Sequence, residues 1–150
     1  MRKYLKFLFL TISIVTIYGF VNEPENNAVS LKVKVSGLRN DNGVVQFSLY
    51  NKNGSIPDED YEKFYRMKTS KIENGSTSVL FSNLKQGVYA VNILHDENKN
   101  GKIDKGWVLP VEGIGFSNYE SIGLTNRPNF SKASFEIKKN STQSIQIIYM

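Results

Sequence analysis

No cysteine occurs among the 150 residues, and histidine and tryptophan occur once each. The missing cysteine excludes a disulfide framework, a thiolate zinc site and a cysteine nucleophile. A large excess of one charge is lacking too. The formal net charge is +5, but Arg2, Lys3 and Lys6 stand at the extreme N-terminus, and all 14 acids lie beyond residue 22. The remainder carries 16 basic residues against 14 acidic ones, a net of +2. That is too little for the electrostatic footprint of a nucleic-acid binder, and no nucleic-acid partner is expected. No serine stands in a G-x-S-x-G elbow. Gly113-Ile114-Gly115 lacks the lysine and helix that would make it a phosphate loop. Internal repeats and helix-period segments are almost absent.

Residues 1–21 place three basic residues before an apolar run from Phe7 to Val21, interrupted by Thr11, Ser13, Thr16 and Gly19. This is the order of a secretory signal: a charged start, then an apolar stretch too short for a comfortable membrane span. A polar lead-in, residues 22–29, follows. The expected organisation is a signal peptide at 1–21, a linker at 22–29 and one domain at 30–150. The A-x-A cleavage pattern is absent. Retention as an N-terminal anchor is therefore the alternative to cleavage, and the only membrane contact expected. The location is outside the cytoplasm in either case: periplasm, cell envelope or medium.

From residue 30 onward the apolar period is close to two. Leu31, Val33 and Val35 alternate with polar residues, as do Val45, Phe47 and Leu49. Asn42-Gly43 between them suits the positive φ angles of a tight turn and predicts a hairpin. A short helix is expected near 60–66, capped by Asp58 or Asp60. Further strands are expected at 68–73, 76–81, 87–94, 133–138 and 142–149. About seven strands with short turns predict an all-β fold, an antiparallel immunoglobulin- or prealbumin-like β-sandwich. Residues 95–132 stand apart as a long Gly/Asn-rich connection, and such loops are usually functional or stabilised by something.

That connection opens with the most specific pattern in the chain. Asp96, Asn98, Asn100 and Asp104 supply side-chain oxygens, with Gly101 and Ile103 between them. Counted from Asp96 these are positions 1, 3, 5, 9, 6 and 8 of a calcium loop, and the Lys102 carbonyl occupies position 7. Alternate residues of a tightly curling loop aim their oxygens at one centre, while the glycine permits the bend. The match is partial. Trp107 stands where an EF-hand carries its bidentate glutamate, and a strand precedes the loop instead of a helix. Glu112 or water would complete the shell. The expected metal site is Asp96, Asn98, Asn100, Lys102 and Asp104, binding Ca²⁺ weakly, at about 10⁻⁴–10⁻³ M. The bland alternative is a turn closed by Asx caps.

The same segment carries a resemblance. His95 to Asp104 reads H-D-x-N-x-N-G-x-[LI]-D, Pro110 to Asn118 reads P-x-E-G-x-G-F-S-N, and Pro128 to Ala133 reads P-x-F-x-x-A. With the strand entry Leu84 to Val91, L-x-x-G-x-Y-A-[IV], these resemble an uncharacterised bacterial family of exported domains. The resemblance implies a secreted or periplasmic prealbumin-like β-sandwich over roughly residues 31–149, and no activity.

Other chemistry-bearing residues have competing readings. His95 is a general base beside Asp96 or, more simply, a brace for the loop. Trp107, Phe116 and Tyr119 are an aromatic platform or the loop's local core. Asp96, Asp104 and Glu112 are a glycosidase carboxylate set or, as their spacing favours, ion ligands. The expectation is a non-enzymatic exported module, calcium-stabilised, with an accessory or binding role in the envelope toward a carbohydrate or an envelope protein. The rival is a carbohydrate-active or other hydrolase using residues 95–119, with Glu112 or His95 as base.

Overall fold

The computed structural model describes residues 28–107, 110–123 and 125–150. The signal segment at 1–21 and most of the linker lie outside these. Among the described residues no helix is long and apolar enough to cross a membrane.

The chain is nearly all β and forms two facing sheets, a β-sandwich. The strands are β1 (Val29–Ser36), β2 (Val44–Tyr50), β3 (Arg66–Ser70), β4 (Ser76–Leu84), β5 (Gly87–Asp96), β6 (Gly113–Phe116), β7 (Phe135–Ile137) and β8 (Ser141–Gln146), with a one-turn helix α1 (Phe130–Ala133) before β7. The first sheet has the order β4-β1-β8; the second has β3-β2-β5-β6, with β7 paired to the start of β5. Pairing is antiparallel except that β8 lies parallel to β1, Val33 opposite Gln143.

The period-two pattern explains the layers. In β1, Leu31, Val33 and Val35 point inward; from the other sheet Val45, Phe47, Leu49, Val91 and Ile93 meet them in one core. The β1–β2 hairpin expected from the sequence does not form. β1 pairs with β4 and β8, and β2 pairs with β3 and β5, so the 37–43 segment crosses from one sheet to the other. Strands whose apolar faces oppose each other across a sandwich show the same alternation as hairpin strands, so the pattern does not discriminate between them.

The 60–66 helix is absent as well. Asp58 caps a turn, accepting the Glu62 and Lys63 amides at 3.0 and 2.9 Å, but Tyr61 takes a positive φ of 54°, which stops helical continuation. β6 is a strand where a loop was expected. Gly113 and Gly115 give it little strand propensity, yet the glycines are required. A Cβ at Gly113 would lie 2.5 Å from the Tyr149 ring, and one at Gly115 would lie 3.0 Å from the Gln146 carbonyl.

A second apolar cluster covers the outer face of the second sheet. It joins Tyr50, Ala90, Leu94, Ile114 and Phe116 to Ile56, Tyr61, Tyr119, Phe130 and Ala133. Ile56 and Tyr61 from the segment before β3, with Tyr119, Phe130 and Ala133 from beyond β6, thus pack over β2, β5 and β6.

Candidate ion loop at the end of strand β5

β5 delivers His95 and Asp96 to the rim of the sandwich, and period two sends them to opposite faces. His95 turns inward and is fully buried. Its Nε2 lies 3.0 Å from the Asn42 carbonyl and its Nδ1 2.6 Å from the Tyr149 hydroxyl. A carbonyl only accepts, so Nε2 carries the proton and Nδ1 accepts from the tyrosine. The Tyr149 hydroxyl also accepts the Arg39 amide at 3.0 Å, and the Arg39 guanidinium sits 4.7 Å from the Tyr149 ring centroid. Arg39 Nε donates to Glu97 at 2.6 Å, which holds that carboxyl below its ordinary value. His95 therefore braces three segments: the 37–43 crossover, the C-terminal tail and the start of the acidic loop.

Asp96 turns outward and is 3% exposed. Its carboxylate accepts the amides of Asn100 at 3.0 Å and Gly101 at 2.8 Å, with Gly101 at a φ of 73°. The loop curls around this carboxylate. Asn98 Oδ1 accepts the Asn100 amide at 2.9 Å, and Asn100 Oδ1 accepts the Lys102 amide at 2.8 Å. The side-chain amides of Asn98 and Asn100 both donate to the Asp104 carboxylate, at 2.5 and 2.8 Å. Four of the five expected ligands are joined through their side chains or by their grip on the loop amides. Lys102 contributes its amide to this network.

Glu112 closes the loop from below. It is 4% exposed, and its two oxygens accept the Glu97 amide at 2.9 Å and the Asp104 amide at 3.2 Å. Burial raises its pKa first of all; the two amides oppose the rise, and the nearby Asp104 and Asp96 charges add to it. Three carboxylates thus share one neighbourhood. Among the described residues no group of three His, Cys, Asp or Glu side chains is set to hold a metal ion. A cation at this loop would rest on asparagine and carbonyl oxygens together with carboxylates, a donor set that suits a hard cation.

The aromatic platform does not assemble. Phe116 and Tyr119 are buried against each other, 5.9 Å between centroids, whereas Trp107 stands fully exposed.

Several residues that organise the site carry no strong signal in sequence. Arg39 and Tyr149 are remote in the chain and meet only through the fold. Ser117 and Asn118 lie within a quoted motif, and the structure explains their presence. The Ser117 hydroxyl accepts the Val91 amide at 2.9 Å and donates to the Ala133 carbonyl at 2.6 Å. Asn118, at a φ of 62°, donates to the Ser134 carbonyl at 2.8 Å beyond α1. Phe130 and Ala133 fill the second cluster. The three motifs are therefore one packed unit built on β5.

Comparison with known proteins agrees with this unit. No curated protein and no solved structure matches the chain. A family model described as "Uncharacterized protein conserved in bacteria (DUF2141)" matches residues 33–146. The matched stretch runs from within β1 to the last residue of β8 and takes in every element between them, so the chain belongs to this family.

Proposed function

We propose that the protein is an exported, non-enzymatic β-sandwich module whose 96–104 loop is closed by Ca²⁺, acting as a binding or accessory domain of the cell envelope. The observation that carries this reading is the grouping of the Asp104 carboxylate with the buried carboxylates of Asp96 and Glu112 around one curled loop. Carboxylates drawn together out of water repel one another, and a divalent cation among them offsets that repulsion. Asp96, Asn98, Asn100, the Lys102 carbonyl and Asp104 would hold the ion, and Glu112 would hold the loop. Export rests on the N-terminal charge and hydropathy pattern alone.

The hydrolase reading has weaker support. His95 is fully buried with both ring nitrogens engaged, and each Glu112 oxygen accepts a backbone amide. Neither is presented to a substrate as a general base needs to be.

Thermal unfolding of the protein in 10 mM calcium and in chelator tests the proposal. At a dissociation constant of about 10⁻⁴–10⁻³ M, the ion stabilises the folded state by about 1.4–2.7 kcal/mol, a rise of several degrees in midpoint. Asp96→Ala is expected to abolish the rise. Equal midpoints in the two buffers would remove the ion from the account.

A further inference from the structure

The chain contains four Asn-Gly pairs: Asn42-Gly43, Asn53-Gly54, Asn74-Gly75 and Asn100-Gly101. All four asparagines are exposed. All four glycines have a positive φ, between 70° and 79°. Such a pair is chemically labile, because a glycine without a side chain lets its amide nitrogen approach the side-chain carbonyl carbon of the preceding asparagine. Sequence, exposure and backbone angle therefore treat the four alike. Their hydrogen bonds do not.

Three pairs are restrained. Gly75 N donates to Asp41 Oδ1 at 2.9 Å, and Asn74 N donates to Asp41 Oδ2 at 3.2 Å. Gly101 N donates to Asp96 Oδ2 at 2.8 Å. A carboxylate acceptor keeps the proton on the nitrogen and turns it away from the neighbouring side chain. The Asn42 carbonyl is held by His95 Nε2 at 3.0 Å, and Gly43 is pressed against the Asp96 main chain. Gly54 differs. Its amide donates at 3.0 Å to Oδ1 of Asn53 itself, so the nitrogen rests beside the carbon it would attack. No atom lies within 4 Å of the place a Gly54 β-carbon would take, which leaves room for a ring to close. The Ser55 amide and hydroxyl both donate to the Lys52 carbonyl, at 3.3 and 2.6 Å, and hold the turn in this shape.

We propose that Asn53 is a site of spontaneous deamidation, while the Asp41 and Asp96 carboxylates guard Asn74 and Asn100 by holding the glycine amides that follow them. Gly54 N gives its proton to solvent base and bonds to Asn53 Cγ. The Cγ–Nδ2 bond breaks, and the nitrogen leaves as ammonia. Water then opens the cyclic imide at either carbonyl, giving aspartate or isoaspartate. The sum is asparagine plus water going to the acid plus ammonia, with no oxidant or reductant. One new carboxylate results on the connection between β2 and β3. The guard at Gly101 is the Asp96 side chain whether or not an ion occupies the loop, so the test is run in chelator.

The full chain is incubated in mildly alkaline buffer, folded and in concentrated urea, and each Asn-Gly peptide is followed by mass spectrometry for the exchange of NH₂ for OH. In the folded chain Asn53 should convert first, and the other three should lag by roughly 10–100-fold, the range that a bond to an ionised acceptor supports. In urea the four rates should converge. Asp41→Ala removes an exposed side chain and should speed Asn74 by roughly tenfold. Asn53 should be unaffected, and a slow Asn100 would show that the variant is folded. Equal rates at the four sites of the folded chain would overturn the proposal. So would a fast Asn53 that keeps its lead in urea, or an Asn74 as slow in folded Asp41→Ala as in the parent.

Discussion

Gly43 lies so close to Asp96 that a β-carbon on the glycine would sit 1.9 Å from the Asp96 carbonyl oxygen. The crossover between the sheets and the root of the acidic loop are thus pressed backbone to backbone, at a residue whose φ is 72°. Gly43→Ala combines a left-handed backbone penalty with a clash that only main-chain movement relieves. We expect it to destabilise the fold by about 3 kcal/mol or more, measured by urea unfolding. A loss below about 1 kcal/mol would show that the two segments are not in contact.

Ser117→Ala should act at the centre of the motif unit. The substitution leaves the Val91 amide without its acceptor at a fully buried position. An orphaned buried amide costs about 1–3 kcal/mol. The measurement is the denaturant midpoint together with hydrogen exchange at the Val91 amide, which should lose protection beyond the global change.

Glu112→Gln separates loop bracing from ion binding. The carboxylate accepts two backbone amides, whereas a glutamine offers one oxygen and turns an NH₂ toward the other donor. Bonds to an ionised group contribute about 1.5–3 kcal/mol. The variant should therefore melt lower than the parent in chelator. Asp96→Ala tests the ion itself, through the difference between the two buffers. A Glu112→Gln protein as stable as the parent in chelator would mean that the two amides do not depend on this carboxylate.

Alkaline pH should destabilise the second cluster. Tyr50 is fully buried with its hydroxyl 3.1 Å from Asp58, and burial, followed by that carboxylate's charge, pushes its pKa far up. Tyr61 is raised by burial first of all, while the Asn92 amide opposes part of the rise. In the unfolded chain both phenols ionise near about 10. The folded state holds their protons to higher pH, so the stabilisation is fully present below about pH 10 and is lost as pH rises above it. Urea midpoints between pH 9 and 11 should fall, and Tyr50→Phe should make the fall shallower. An unchanged slope in that variant would place Tyr50 outside the effect.

Much of the architecture was legible because burial imposes a period. Leu31, Val33, Val35, Val45, Phe47 and Leu49 all face the main core as the alternation requires. The curl of the acidic loop was legible for a related reason: local hydrogen bonds among Asp96, Asn98, Asn100 and Gly101 span at most five residues, so their spacing is visible in the chain. β6 was not legible. Gly113 and Gly115 look like loop residues until Tyr149 and the Gln146 carbonyl are placed against them. Tyr61 sits in a run with helical spacing, but its positive φ is set by packing into the second cluster.

Residue order alone determined the class of fold, the alternating faces and the curl of the acidic loop, because each depends on contacts between near neighbours in the chain. Which sheet each strand joins was decided only in three dimensions. So were the parallel placement of β8 beside β1 and the meeting of Arg39 and Tyr149 at His95. These are pairings between distant segments. Their free energy comes from complementary surfaces that exist only once both partners are folded.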